Sequence, residues 1–464
     1  MALKIQDFLF KVSHLNRLLL IRRLPNGRNV SNTFSSKVLP YSEIPKTQRL
    51  PVLGSLPYFI KAGGQTHLHD YADNYHKKLG PIFVEKLGGK ELLFLSDPDE
   101  NAKSMTNHVQ SISEVCQDFM NIWRVNPPLD LEYQLYCWNI ECIGDISLGK
   151  RLGFLQKLNQ ENGRNKNGLK DDEFVKAVHE IFVESANLYV WPAKLAKKLG
   201  LKSWKNFYSA VETALKYGNY YVEQAYNGCK VENVDMKTKN SMLYKVIEEG
   251  SLDEETIKSV FVDLFLASAD TTSHTAGWVF YLLGRNPDVA EKARKEILSV
   301  LEKEKTLTLE TLAKIRYISG IIRETLRLYP TASFLTRKVA ADTTLCGYSV
   351  PAGTMVISSL YSMGRSPTNF TNPDAFQPER WFPKNSESTE NKERLQRKAY
   401  VPWGLGKRSC IGKRTAEIEL SLLIMEALKT FEWTVEEEVN MILRMVTVPS
   451  KDIKLNLKPR LTEC

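Results

Sequence analysis

VPWGLGKRSCIGKR, residues 401–414, sets one cysteine, Cys410, among three glycines and four cations. From Ile411 onward, Ala416, Ile418, Leu420, Leu422 and Leu423 follow with helical spacing, so Cys410 stands where a helix begins. The thiolate is the form of cysteine that binds iron or acts as a nucleophile. Nearby cations and the positive end of a helix both favour it. Lys407, Arg408, Lys413 and Arg414 supply the cations, and Gly404, Gly406 and Gly412 let the backbone lie close to a flat, bulky object. A lone cysteine beside a glycine-rich turn is usually buried and inert. The coincidence of glycines, cations and helix start argues here for a working thiolate, whether iron ligand or nucleophile.

Two helices upstream carry the remaining chemistry. Ser251 and Glu254 form an S-x-x-E capping box that predicts a helix from about Ser251 to Gly284. Ile257, Val260, Phe261, Leu264 and Phe265 repeat along it, and Gly284 and Pro287 end it. Inside lies Ala267-Ser268-Ala269-Asp270-Thr271-Thr272, where small residues interrupt the stripe of large ones and leave room for something else. Asp and Thr are poor mid-helix residues, and a threonine hydroxyl there can bond back to the preceding turn. Taken alone, the stretch reads equally well as a solvated face. A second helix is expected from about Leu309 to Tyr329, ended by Pro330, with Glu324 and Arg327 at i, i+3 on one face. The apolar surroundings Ile321-Ile322 and Leu326-Leu328-Tyr329 point to partial burial. About fifty residues on, Arg380 of Pro378-Glu379-Arg380-Trp381 could close a three-way charged cluster with that pair.

The rest of the chain bounds these readings. At 464 residues, 43% hydrophobic and 25% charged, it is a globular protein with a large core. Seven cysteines without a C-x-x-C pair argue against a disulfide framework and for a reducing compartment. The net charge of +9 includes no basic block interleaved with aromatics, which excludes nucleic acid as a partner and leaves an acidic protein or an anionic membrane surface. The basic excess concentrates in residues 1–42, where Lys4, Lys11, Arg17, Arg22, Arg23, Arg28 and Lys37 face the single acid Asp7; this is the composition of a mitochondrial presequence. No stretch approaches the roughly 18 apolar residues of a membrane span. Residues 43–464 are expected to form one mainly α body with a small β region, its strands near Ile82–Val84, Leu92–Leu95, Thr354–Ser358 and Arg444–Val448. The polar run Pro383–Lys398 reads as an exposed loop.

In order and spacing, the G-x-G-x-R-x-C-x-G run of Gly404–Gly412 after Trp403, Glu324-x-x-Arg327, Pro378-Glu379-Arg380 and Ala267–Thr271 together resemble the cytochrome P-450 family, the haem-thiolate monooxygenases. The resemblance implies that Cys410 is the axial ligand of a haem b iron, that Asp270 and Thr271 relay protons to dioxygen, and that Glu324, Arg327 and Arg380 hold the framework behind the haem. It also implies that Arg408 and Arg337 meet the propionates, with Gly404, Gly406, Gly412 and Trp403 lining the cofactor. The haem would lie between the Ser251–Gly284 helix and the Cys410 loop. Trp403 stands where the family usually has Phe, and Ser268 where it usually has Gly; neither change abolishes the chemistry. A cysteine-nucleophile hydrolase, the other reading of Cys410, lacks a paired general base nearby.

The presequence and the cations Arg323, Lys413 and Arg414 look like the mitochondrial branch, which takes NADPH electrons through ferredoxin reductase and an acidic ferredoxin. That implies the matrix side of the inner membrane, with peripheral membrane contact left open. Residues 62–89, Phe261–Ser273 and Leu443–Pro449 are similar to the insect ecdysteroid 2-hydroxylases, which convert 2-deoxyecdysone to ecdysone. His67-x-His69 falls in that shared stretch and reads as structural or surface. One departure is large. In the family, a helix beginning near Asp97 leads through a long loop to a helix bearing Trp-x-x-x-Arg, which covers the haem and binds a propionate. Here Met105-Thr106-Asn107-His108 runs straight into Val109–Trp123, which resembles the next helix along. The segment between the second and fourth helices is therefore expected to be missing near 105–109, and with it the catalytic competence of this chain comes into question.

Overall fold

A computed structural model describes residues 45–47, 55, 58, 61, 75, 78–79, 82–87, 90–95, 98–158, 171–188, 191, 193–231, 233–250, 252–382, 396, 398–406 and 409–460. Residues 1–42, His67, His69, Ser251, Arg408 and most of 383–398 lie outside the described residues. The chain divides into two compact units between Thr106 and Asn107. The first contains an antiparallel hairpin, β1 (Ile82–Leu87) and β2 (Lys90–Leu95), with Ile82 paired to Leu95 and Leu87 to Lys90.

Helix α1 (Pro98–Val125) runs without a break through residues 105–109. Beyond the unit boundary, Val109, Ile112, Cys116, Phe119 and Trp123 recur three or four residues apart, and these and Met120 are buried. α2 (Leu131–Ile143) is capped by the Asp130 side chain, which accepts from the Tyr133 amide, and runs on into a π-helical turn at Gly144–Leu148. α3 (Asp171–Asn187) packs on α4 (Lys202–Gly228), and both contact the long α5 (Glu254–Arg285). α5 also packs along α2. Its residues from Thr272 to Gly284 are buried without interruption, as in a helix surrounded by neighbours.

The boundaries of α5 differ from the sequence reading. Its N-cap is Asp253, whose carboxylate accepts from the Thr256 amide at 2.9 Å and the Thr256 hydroxyl at 3.0 Å. Gly284 sits inside the helix, where an added Cβ would meet Val435 Cγ2 at 2.7 Å, so close packing explains the glycine better than termination does. Pro287 opens the next helix, α6 (Pro287–Lys303), at the position where its missing N–H costs nothing. The helix expected over Leu309–Tyr329 is two, Leu309–Lys314 and α7 (Arg316–Leu328), because Ile315 leaves helical geometry at ψ 76. α7 packs on the 3-10 turn Pro378–Trp381 and on α8 (Lys413–Thr430).

The β content is a set of two-stranded antiparallel pairs: β3 (Phe334–Lys338) with β6 (Met355–Ser359), β4 (Thr343–Leu345) with β5 (Tyr348–Val350), β7 (Phe431–Thr434) with β10 (Asn456–Pro459), and β8 (Met441–Arg444) with β9 (Val446–Pro449). The single strand expected over Arg444–Val448 is the last of these pairs, a hairpin turning at Met445, which adopts a positive φ of 51. The small β region over a mainly helical body is as expected.

Candidate active site

The Cys410 loop is closed by backbone bonds. Gly404 N–H donates to Val401 O at 2.9 Å, Ser409 N–H to Gly406 O at 3.0 Å, and Cys410 N–H to Trp403 O at 2.7 Å. Two of these turns need left-handed backbone, and glycines supply it: φ is 72 at Gly404 and 64 at Gly406. Gly412 is the N-cap of α8, and a Cβ there would lie 3.9 Å from Cys410 Sγ. Cys410 is exposed, yet the protein closing around its sulfur pushes the thiol pKa up. Amide hydrogen bonds from Gly412 and Lys413, and the Lys413 charge, act in the opposite direction. These are the donors that the start of a helix offers an anion.

α7, which packs on α8, carries a fully buried carboxylate. Glu324 takes two bonds from Arg327, Nε at 2.9 Å and Nη2 at 2.7 Å, and one from Arg380 Nε at 3.0 Å. The Gln377 amide donates at 3.1 Å and the Trp381 indole at 2.9 Å. Arg327 is equally buried and donates onward to the carbonyls of Gly364, Pro373 and Ala375. The three-way cluster read from the sequence is thus formed. Trp381, not among the expected residues, completes it with its ring nitrogen.

On α5, Thr271 is half-buried and its hydroxyl donates back to Ala267 O at 3.2 Å, the local bond expected of a mid-helix threonine. Ser268 does the same to Phe265 O at 3.0 Å. Asp270 is 1% exposed, which removes the solvated-face reading. Its Oδ1 accepts a hydrogen bond from the Tyr136 hydroxyl of α2, while Oδ2 has no partner among the described residues. One turn on, His274 places Nδ1 2.9 Å from the Asp270 carbonyl and 3.6 Å from Oδ1. Its Nε2 lies 3.3 Å from Glu132 Oε1, and Glu132 meets His179 of α3 at 2.9 Å. The carboxylates on both sides raise the His274 pKa to about 10 despite its burial. The two histidines hold Glu132 well below the usual carboxylate range. Sequence reading missed Tyr136, Glu132, His274 and His179. The i, i+4 spacings of Glu132 with Tyr136 and of Asp270 with His274 were legible, but their meeting depends on helix packing.

Among the described residues, Arg337, Arg323 and Arg414 make no hydrogen bond or ion pair with these clusters, while Lys413 adjoins the Cys410 loop. Arg337, on β3, is exposed and donates to the Thr336 carbonyl at 2.9 Å. Arg323 and Arg414 are exposed, whereas Lys413 is half-buried and 3.8 Å from Glu417. No helix among the described residues is long and apolar enough to cross a membrane.

The family model for cytochrome P450 matches residues 100–457 of this chain. Among curated proteins, cytochrome P450 315a1, mitochondrial, of Drosophila melanogaster is 29% identical, covering 90% of this chain and 89% of its own length. Cytochrome P450 11B2, mitochondrial, of Mus musculus is 30% identical with 92% and 94% covered. The mitochondrial cholesterol side-chain cleavage enzyme of Ovis aries is 25% identical with 90% of each covered. The alignments with the fly and mouse proteins run to 494 and 491 positions, more than the 464 residues present here, so those relatives hold residues without a counterpart in this chain. With the family model spanning most of its length, and the cysteine loop and the Glu324 cluster both formed, this chain belongs to the cytochrome P450 family of monooxygenases.

Proposed function

We propose that this chain is built as a mitochondrial steroid hydroxylase that takes an ecdysteroid at carbon 2, converting 2-deoxyecdysone to ecdysone. The observation that carries the chemistry is the Cys410 loop. Gly404 and Gly406 turn the loop, the Gly412 and Lys413 amides and the Lys413 charge favour an anion at Cys410, and Cys410 is exposed to a partner. A coordinated iron stabilises a thiolate. These donors fit haem b, whose iron Cys410 would hold. Bound there, the haem would supply dioxygen activation, using NADPH electrons delivered through ferredoxin reductase and ferredoxin.

The chain's own residues would do the rest. Asp270, with Oδ1 held by Tyr136 and Oδ2 unpartnered among the described residues, would pass a proton on, and the Thr271 hydroxyl is its neighbour on the helix. Arg408 and Arg337 would pair with the propionates; among the described residues the Arg337 head is engaged with the Thr336 carbonyl alone, which leaves its other donors for that pairing. Arg323, Lys413 and Arg414 would meet an acidic ferredoxin. Residues 1–42 would direct the chain to the matrix side of the inner membrane. Support for a steroid comes from the relative named for cholesterol side-chain cleavage, and for carbon 2 from the likeness at residues 62–89, Phe261–Ser273 and Leu443–Pro449.

A second reading, a catalytically inactive form with an internal deletion, is favoured by α1 running unbroken through the junction at 105–109 and by the unmatched residues of the relatives. Without the missing segment, a buried propionate lacks one arginine partner, which is costly. Water would also enter over the haem edge. Reconstitution with ferredoxin, its reductase, NADPH and 2-deoxyecdysone separates the readings. The chain as written is expected to make little or no ecdysone, and insertion of the segment from a relative between Met105 and Val109 should restore haem occupancy and turnover. Robust hydroxylation by the unaltered chain would reject the deletion reading. A restored, haem-loaded chain that leaves 2-deoxyecdysone untouched would reject the substrate.

A further inference from the structure

From a half-satisfied side-chain pair that joins α2 to α8, we infer that Glu419 is held as a carboxylic acid in a two-way hydrogen-bonded ring with Asn139, and that this ring is a proton-dependent latch between the two helices. Asn139 is 0% exposed and Glu419 1%. Asn139 Nδ2 donates to Glu419 Oε2 at 3.3 Å. The other half of each group, Asn139 Oδ1 and Glu419 Oε1, is buried without a hydrogen-bond partner among the described residues. An ionised carboxylate only accepts, and a carboxamide carries an acceptor beside its donors. With Nδ2 on one carboxyl oxygen, a charged Glu419 leaves one acceptor without a donor on each side, a costly arrangement in a dry interior. Exchanging the amide's oxygen and nitrogen only moves the mismatch to the other edge. A single proton on Oε1, donated to Oδ1, satisfies both atoms at once and leaves no net charge buried.

The surroundings favour the neutral acid. Ile418, Leu420, Leu422 and Leu423 around it on α8 are buried, and burial alone raises the Glu419 pKa to about 8. α5, α6, α7 and β7 also pack on α8, and no charged group on them shifts it. From α2 the titratable neighbour is Cys142, a thiol kept protonated by burial and by its hydrogen bond with Cys116 of α1. Arg151, the cation acting on Cys142, is paired with Glu141 and Asp118. When Glu419 releases its proton to solvent, the contact between Oε1 and Oδ1 turns from a bond into a repulsion. The ring is therefore closed at low pH and is lost as pH rises through about 8. α8 starts at Gly412, two residues after Cys410, and Tyr136, one turn before Asn139 on α2, holds Asp270 of α5. The latch ties the helix that follows Cys410 to the helix that grips Asp270, and alkaline pH loosens that joint.

Infrared difference spectra of the full chain, parent minus Glu419→Gln, read the acid directly. Below neutral pH the difference contains the C=O stretch of a protonated carboxylic acid, and that stretch titrates away reversibly as pH rises through about 8. In Asn139→Leu it persists but moves to the higher frequency of an acid without a partner. Carboxylate stretches alone below neutral pH, the result of an ionised Glu419 beside a bridging water or cation, overturn the inference, as does an acid stretch that Asn139→Leu leaves unmoved. Glu419→Gln keeps the volume and closes the same ring as a neutral amide pair at every pH, so it and the parent decide the test even where Asn139→Leu does not fold. Backbone amide exchange along α8, compared by mass spectrometry at one pH so that the intrinsic chemistry cancels, is equal in the two below neutral pH. One pH unit above the Glu419 transition the parent exchanges about tenfold faster. Equal exchange there, with the acid stretch gone, rejects the latch.

Discussion

Replacing Glu324 by glutamine keeps the side-chain volume and removes one charge from the most enclosed ion cluster described. In the parent, five hydrogen bonds converge on this carboxylate, from Arg327 twice and from Arg380, Gln377 and Trp381. The amide keeps one acceptor oxygen but turns an NH₂ group toward guanidinium donors. Arg327, whose side chain is 0% exposed, is then a buried cation without a counter-ion among the described residues, held by the remaining amide oxygen and the carbonyls of Gly364, Pro373 and Ala375. An uncompensated buried charge costs about 3–5 kcal/mol, and each donor orphaned around it adds about 1–3 kcal/mol. The total is a large part of the ~5–15 kcal/mol that holds a domain together. On a urea slope of ~2–3 kcal/mol/M, a loss of at least ~4 kcal/mol moves the midpoint down by ~1–2 M. Lys451→Ala is the control: Lys451 pairs with Glu437 at 2.7 Å, but both side chains are about half exposed, and such a pair contributes ~0–1 kcal/mol. A Glu324→Gln midpoint shifted no further than that of Lys451→Ala would refute the reasoning.

Cys410→Ser should abolish the red-shifted Soret band of the reduced carbon monoxide complex; a band that persists rejects Cys410 as ligand. Gly320→Ala places a Cβ 2.9 Å from the Pro378 carbonyl, in a turn fixed by the Glu324 cluster, so overpacking should cost about 1–3 kcal/mol and lower the melting temperature. Helix propensity alone would raise stability by up to about 1 kcal/mol, so the sign of the change decides. Glu419 of α8 is buried with one oxygen unpartnered among the described residues, and desolvation raises its pKa from 4.5 to about 8. Its contribution to stability is complete below about 4.5 and is lost as pH rises through about 8. His108, lowered from 6.5 to about 4 by burial, acts oppositely, its contribution present above about 6.5 and lost as pH falls through about 4. Comparing melting curves of the parent and Glu419→Gln at each pH isolates the first effect: the variant should gain on the parent between pH 5 and 8, and parallel profiles would contradict it.

Local order along the chain was enough to name the family. The cysteine loop between glycines, the small-residue break in a long apolar helix and the charged pair at i, i+3 are short-range patterns, each imposed by the chemistry of neighbouring residues. The three-way cluster was legible for the same reason, since an arginine in a Pro-Glu-Arg turn has few roles other than to pair. What the sequence could not supply is whatever depends on contacts between distant segments. The helix over Leu309–Tyr329 breaks at Ile315 although its pattern continues, and Arg444–Val448 folds back at Met445 because a strand needs a ladder partner that periodicity alone does not reveal. Gly284 looked like a terminator until Val435 and Trp433 were seen against it. Asp270 could have faced water; the packing of α2 along α5 buries it against Tyr136 and brings Glu132 to His274. Tertiary structure thereby turned two unremarked i, i+4 pairs into one network, because burial removes the water that would otherwise have satisfied each group separately.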